Sequence, residues 1–144
     1  MKEKLILAVF LGICSMQDLR EKRISISCLR WGMAAALLSV IWNLAAQRLD
    51  VRELVFSILP GILLFVYSRI TKEKLGEADG WMVMVQGMLL GWRDCVEVLI
   101  LADLLLCAAS FFLLALHRAD RNTKLPFAPY LLAAFVLGNC VNII

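Results

Sequence analysis

Apolar positions in this chain run in long unbroken stretches, separated by short clusters of charge. The period-two alternation that marks the strands of a membrane barrel is missing, so helices are the expected spanning form. A helix needs about 20 apolar residues to cross hydrocarbon, and fewer where neighbouring protein shields it. The pattern predicts spans over 3–17, 28–46, 53–70, 79–92, 95–116 and 126–144. The fourth is short and carries Gly87 and Gly91, which predicts close packing inside a bundle. Its border with the fifth, at Gly91–Asp94, is the least marked. The expected fold is all-α: a polytopic membrane helical bundle of about six transmembrane helices.

Composition agrees with this reading. Of 144 residues 62% are hydrophobic, and the mean hydropathy is +0.82. Soluble domains are about 45–50% apolar, so the surplus belongs in lipid. With no internal repeat and no low-complexity segment, residues 1–144 are expected to form a single membrane-embedded domain.

Charge then orients the spans. Arg20, Lys22, Arg23 and Arg30, then Arg69, Lys72 and Lys74, then Arg118, Arg121 and Lys124 fall on one side of the alternating loops. Lys2, Lys4, Arg48, Arg52 and Arg93 fall on the other. The positive-inside rule puts the first set in the cytoplasm and both termini outside. Reading Met1–Ser15 as a cleaved signal peptide is the competing view. Ile13 is too large for the small residue that precedes a lipidated cysteine, and the basic Asp18–Arg23 segment resists translocation. The first span is therefore expected to be retained.

The five cysteines are scattered and mostly lie inside apolar stretches, with neither zinc-type spacing nor a disulfide framework. They read as small apolar packing residues. His117 reads as an interfacial side chain beside Arg118. The basic residues are divided among short loops without aromatic platforms, which argues against nucleic-acid binding and for anionic lipid headgroups. Asp103 lies near the middle of the fifth span, where an unpaired charge costs about 2.5–3.5 kcal/mol or more. It is expected to be neutral or hydrogen-bonded inside the bundle, as a structural contact or a modulator of the site below. Glu97 is close enough to the outer end of that span to reach water. The sequence leaves the oligomeric state open.

Two carboxyls carry the candidate chemistry. Asp18 ends the first span and Asp79 opens the fourth, and the loop charges place both on the inner side. Two carboxyls sharing a water, one ionised and one protonated, are the equipment of aspartic hydrolysis, because like charges a few ångströms apart cannot both ionise cheaply. Gly76, Ala78 and Gly80 leave room for a neighbouring helix or an extended substrate. Plainer readings stand beside this one. Asp79 can simply cap its helix, and Asp18 can be a salt-bridged rim residue. Glu77 can contact a basic peptide or only solvent.

These segments resemble the type IV prepilin peptidases. Asp18, Arg20, Lys22, Arg23, Ile24 and Ser25 look like the first aspartate motif of that family. Gly76, Glu77, Ala78 and Asp79 resemble its Gly-x-Gly-Asp motif, and Pro126, Phe127, Ala128 and Pro129 its Pro-Phe-Gly-Pro segment. The resemblance implies a membrane aspartic endopeptidase with Asp18 and Asp79 catalytic. Gly76, Glu77, Ala78, Gly80, Pro126 and Phe127 would then shape the site. It implies prepilin or pseudopilin substrates cleaved at the cytoplasmic face of a bacterial or archaeal plasma membrane, with no metal and no organic cofactor. The amino-terminal cysteine pairs of the larger bifunctional members are missing from this sequence, so a single peptidase domain without methyltransferase activity is implied. Alanine stands at residues 78 and 128 where the family has glycine, and Ile26 where an asparagine is common. A catalytically inactive membrane protein that binds pilin-like partners is the alternative, and a transporter using Asp103 a more distant one.

Overall fold

Each long apolar stretch becomes a helix. The computed structural model describes residues 2–21, 24–46, 50–71, 77–115 and 126–141. Six α-helices cover nearly all of them: α1 (Lys2–Glu21), α2 (Ile26–Ala45), α3 (Val51–Ile70), α4 (Glu77–Leu90), α5 (Trp92–Ala115) and α6 (Ala128–Val141). No strand occurs among the described residues. α2, α3 and α5 are long and apolar enough to cross a membrane, and α6 is a shorter apolar helix. α1 begins one residue before its expected span and runs four beyond it, so Asp18 lies inside the helix and not at its tip. α4 and α5 each begin two to three residues earlier than their apolar runs suggest. The turn between them is Gly91 alone, at φ 85°. A side chain is strained in that left-handed region, which is why the chain reverses at this glycine.

α1 and α2, and likewise α3 and α4, pack antiparallel, and small residues set their register. Between α1 and α2, Gln17 Oε1 accepts from Ser25 N at 3.1 Å and Cys14 Sγ lies 3.5 Å from Cys28 Sγ. Further along, Phe10 covers Gly32, and Glu3 accepts from Ser39 and Asn43. Between α3 and α4, Phe65 faces Gly80, Met84 faces Gly61 and Ser57 faces Gly87. A Cβ at Gly87 would overlap the Ser57 carbonyl oxygen, so α4 lies against the backbone of α3.

α4 is the centre. It packs on α1, α2, α3 and α5, while α6 closes the bundle between α1 and α5. Half of its fourteen residues are buried: Gly80, Met82, Val83, Val85, Gln86, Gly87 and Leu89. The close packing expected from its glycines is found at Gly80 and Gly87; Gly91 serves the turn. The core joins Met82, Val85 and Leu89 to Leu7, Leu11 and Cys14 of α1 and to Leu131 and Phe135 of α6. By contrast α2, α3 and α5 present Leu38, Ile41, Leu63, Val66, Phe111 and Phe112 outward. In water so large an apolar surface marks an interaction site. On helices of this length it is the surface that meets hydrocarbon.

Candidate active site

Asp18 belongs to the buried stripe of α1. Leu7, Leu11, Cys14 and Asp18 recur at helical spacing, one turn apart, and all face the core. Asp18 is 8% exposed, and its Oδ2 accepts from the backbone N–H of Ala128 at 3.1 Å. This bond spans 110 positions and joins the first motif to the Pro-Phe-Ala-Pro segment.

The start of α6 explains why that N–H needs an acceptor. A helix leaves its first N–H groups without partners in its own ladder. In α6, Pro129 has no N–H, and Tyr130 N and Leu131 N both donate to Phe127 O at 3.1 Å. Ala128 N is left over, in a fully buried residue. Asp18 supplies its acceptor, so a side chain of α1 caps α6. Pro126 and Phe127, which precede Ala128, are both half-buried. The alanine methyl at residue 128 fits within this packing.

Asp79 lies in the first turn of α4, half-buried, with an interaction partner. The helix already begins at Glu77, so Asp79 is inside the first turn and not a residue preceding the helix. Gly80 follows it, and a Cβ there would come within 3.0 Å of Phe65 Cα and N. Glu77 Oε1 is 3.1 Å from Arg69 Nε, the arginine side chain exposed and the glutamate partly so. The ion pair with Arg69 of α3 is a contact that neither sequence alternative for Glu77 named. Arg69 also lies 5.8 Å from the Phe65 ring, which meets Trp81 edge-on at 5.8 Å. Ala78 is half-buried in the same turn. Gly76 lies outside the described residues, as do His117 and the basic residues Lys22, Arg23, Lys72, Lys74, Arg118, Arg121 and Lys124.

Three antiparallel packings place Asp18 and Asp79 at the same end of the bundle. α4 and α5 turn back at Gly91, with Gln86 Nε2 donating to Cys95 O at 3.4 Å, so the start of the shorter α4 lies beside the middle of α5. α5 and α6 are also antiparallel, Val98 approaching Gly138. The start of α6 therefore shares the Asp79 end, and there Ala128 meets Asp18. A groove of about 400 Å³ lies elsewhere. Lys4, Asp94, Glu97, Leu101, Phe135 and Asn139 line it, and Lys4 is fourteen positions before Asp18 along α1.

Two expectations change. Asp103 is not hydrogen-bonded inside the bundle: it is exposed on the outer face of α5, while its neighbour Ala102 is fully buried. A contiguous run of apolar letters does not say which helical face turns inward, and α5 buries little beyond Cys95, Val98 and Ala102. Asp18 is buried instead of standing at the rim, and among the described residues its partner is a backbone amide and not a cation. The tie to Ala128 had no counterpart in the sequence reading. The i, i+4, i+7, i+11 spacing of Leu7, Leu11, Cys14 and Asp18 was the available signal that Asp18 faces inward. No group of three or more metal-ligating side chains occurs among the described residues.

Taken together, these features define a helical membrane protein with an acidic residue built into a buried helix junction and a second at the same end. The chain belongs to the type IV leader peptidase family, whose model matches residues 5–117. The matched stretch includes Asp18 and Asp79 and stops before Pro126, so the last motif is tied to it through the Asp18–Ala128 bond. No curated protein and no solved structure matches the chain.

Proposed function

We propose that the protein is an aspartic endopeptidase that removes leader peptides from prepilin or pseudopilin substrates at the cytoplasmic face of a bacterial or archaeal plasma membrane. One observation carries the proposal: the Asp18 carboxyl is held at the start of α6, at the end of the bundle where Asp79 opens α4. On this reading residues 1–144 form one peptidase domain of six spans, with both termini outside. Asp18 and Asp79 are the catalytic pair, and Gly76, Glu77, Ala78, Gly80, Pro126 and Phe127 border the substrate.

The chemistry follows from two carboxyls and a water. The ionised carboxyl takes a proton from water, whose oxygen bonds to the scissile carbonyl carbon. The protonated carboxyl gives its proton to the peptide, and the tetrahedral intermediate collapses with rupture of the C–N bond. The products are a leader ending in a carboxylate and a mature chain beginning with an amine. The two aspartates belong to one coupled titration, so acid and base roles are assigned to the pair. A helical peptide bond is shielded by its own turn, so the substrate must be extended where it is cut. The small side chain of Ala78 suits the approach of such a segment beside Asp79, whereas the space at Gly80 is taken up by Phe65 of α3.

Alanine at residues 78 and 128, where family members carry glycine, favours a second reading: a silent member that binds pilin-like proteins without cutting them. Co-expression with a prepilin separates the two. A faster-migrating mature product that depends on both aspartates supports the peptidase. Binding of full-length prepilin with no mature product, for the wild type as for Asp18→Asn and Asp79→Asn, supports the silent binder.

A further inference from the structure

Two thiols face each other across the seam between α1 and α2. Cys14 Sγ lies 3.5 Å from Cys28 Sγ, within reach of an S–H···S hydrogen bond. All five cysteines are free, and among the described residues these two alone are in thiol–thiol contact. Nothing in their spacing along the chain announces the pair; the packing of the two helices creates it.

The register of the hairpin holds the thiols opposite one another. Gln17 meets Ser25 on one side of them, while Phe10 meets Gly32 and Glu3 meets Ser39 on the other. Each step back along α1 is matched by an equal step forward along α2, so the contacts form one antiparallel ladder. A Cβ at Gly32 would overlap the Phe10 ring, so the helices are closely packed one turn from the thiols. Cys14 is fully buried in the stripe that carries Asp18, one turn away. Cys28 is half-buried in the first turn of α2.

We propose that Cys14 and Cys28 are a modification site, a dithiol that a small hydroperoxide converts to a disulfide tying α1 to α2 one turn from Asp18. With hydrogen peroxide, the more accessible Cys28 sulfur attacks one peroxide oxygen. The O–O bond breaks, leaving a sulfenic acid and one water. The Cys14 sulfur then bonds to the Cys28 sulfur and displaces its hydroxyl, which leaves as a second water. The two thiols give up two protons and two electrons, and the peroxide takes them. A disulfide needs sulfurs about 2.05 Å apart, so closing the 3.5 Å contact turns both side chains and draws α1 against α2. The 3.1 Å bond from Ala128 N to Asp18 is already near the long end of the hydrogen-bond range, so a small shift of α1 weakens it. This consequence rests on the peptidase reading: the oxidised protein cuts more slowly.

The test uses the full chain in vesicles of phosphatidylethanolamine and phosphatidylglycerol, with Cys107→Ser and Cys140→Ser removing the two exposed thiols. After hydrogen peroxide, remaining thiols are blocked with N-ethylmaleimide and the chain is digested with trypsin, which cuts between the two cysteines at Arg20 and Arg23. Mass spectrometry is expected to find the Cys14 and Cys28 peptides joined, lighter by two hydrogens than the two together, and separated again by dithiothreitol. Processing of a purified prepilin by the same vesicles should fall about tenfold on oxidation, the scale of one weakened hydrogen bond. Dithiothreitol should restore it, and Cys14→Ser or Cys28→Ala should abolish the sensitivity; Cys28→Ala, at the half-buried position, serves where Cys14→Ser does not fold. Absence of the joined peptide, or oxidation that stops at a Cys28 sulfenic or sulfinic acid, overturns the site. A joined peptide with unchanged processing overturns its link to Asp18. If the reduced protein processes no prepilin, the peptidase reading fails, and the mass measurement still decides the disulfide.

Discussion

A carboxylate buried between helices is costly unless something donates to it, and at Asp18 the donor is a backbone amide that no other described residue satisfies. This pairing makes two substitutions informative in opposite ways. Asp18→Asn keeps an oxygen that can accept from Ala128 N, so the fold is expected to persist while the acid–base chemistry is lost. Asp18→Ala leaves that amide orphaned, and thermal unfolding in detergent should show a loss of about 1–3 kcal/mol. Ala128→Pro removes the same N–H while keeping a residue suited to the first helical position. It should reduce processing and cost about 1.5–3 kcal/mol, the range of a hydrogen bond to a charged group. Arg69, exposed, and Glu77, partly so, make the contrasting case. Arg69→Ala should change stability by less than about 1 kcal/mol. The identity of the two aspartates was legible from their place at the edges of apolar runs. The amide that holds Asp18 was not, because it is 110 positions away and is exposed as an orphan only once α6 starts at Ala128.

Among the elements, the seam between α3 and α4 determines where Asp79 sits. The facing pairs Phe65–Gly80, Gly61–Met84 and Ser57–Gly87 lock the two helices in register along most of α4. Gly87→Val forces a branched side chain against the Ser57 carbonyl and should destabilise the bundle by about 1–3 kcal/mol, read from the midpoint of unfolding. Gly12, by comparison, has nothing within 4 Å of the position its Cβ would take, and Gly12→Ala should leave that midpoint nearly unchanged. The helices themselves were readable from apolar run lengths, and the glycines of the fourth run foretold its closeness to a neighbour. Their ends were less so. Glu77, Ala78 and Trp92 extend the helices into polar flanks, where hydrogen-bonding geometry and not hydropathy decides the boundary.

For the whole molecule, the antiparallel order of the helices turns local contacts into a single arrangement. It brings the start of α4, the end of α1 and the start of α6 to one end, although the residues concerned lie in three separate parts of the chain. Loop charges suggested that Asp18 and Asp79 share a side, and the helix packings reach the same pairing by an independent route. The depth of Asp18 in the bundle and the outward face of Asp103 needed the packing itself. The central claim, that Asp18 and Asp79 cut a leader peptide together, is tested most directly by rate. Wild type, Asp18→Asn and Asp79→Asn, each reconstituted in lipid vesicles with matched unfolding midpoints, are given the same purified prepilin. The account predicts mature pilin from wild type, and for both variants rates lower by at least about 100-fold, the scale of lost acid–base catalysis. Processing by either variant within about twofold of wild type would contradict it.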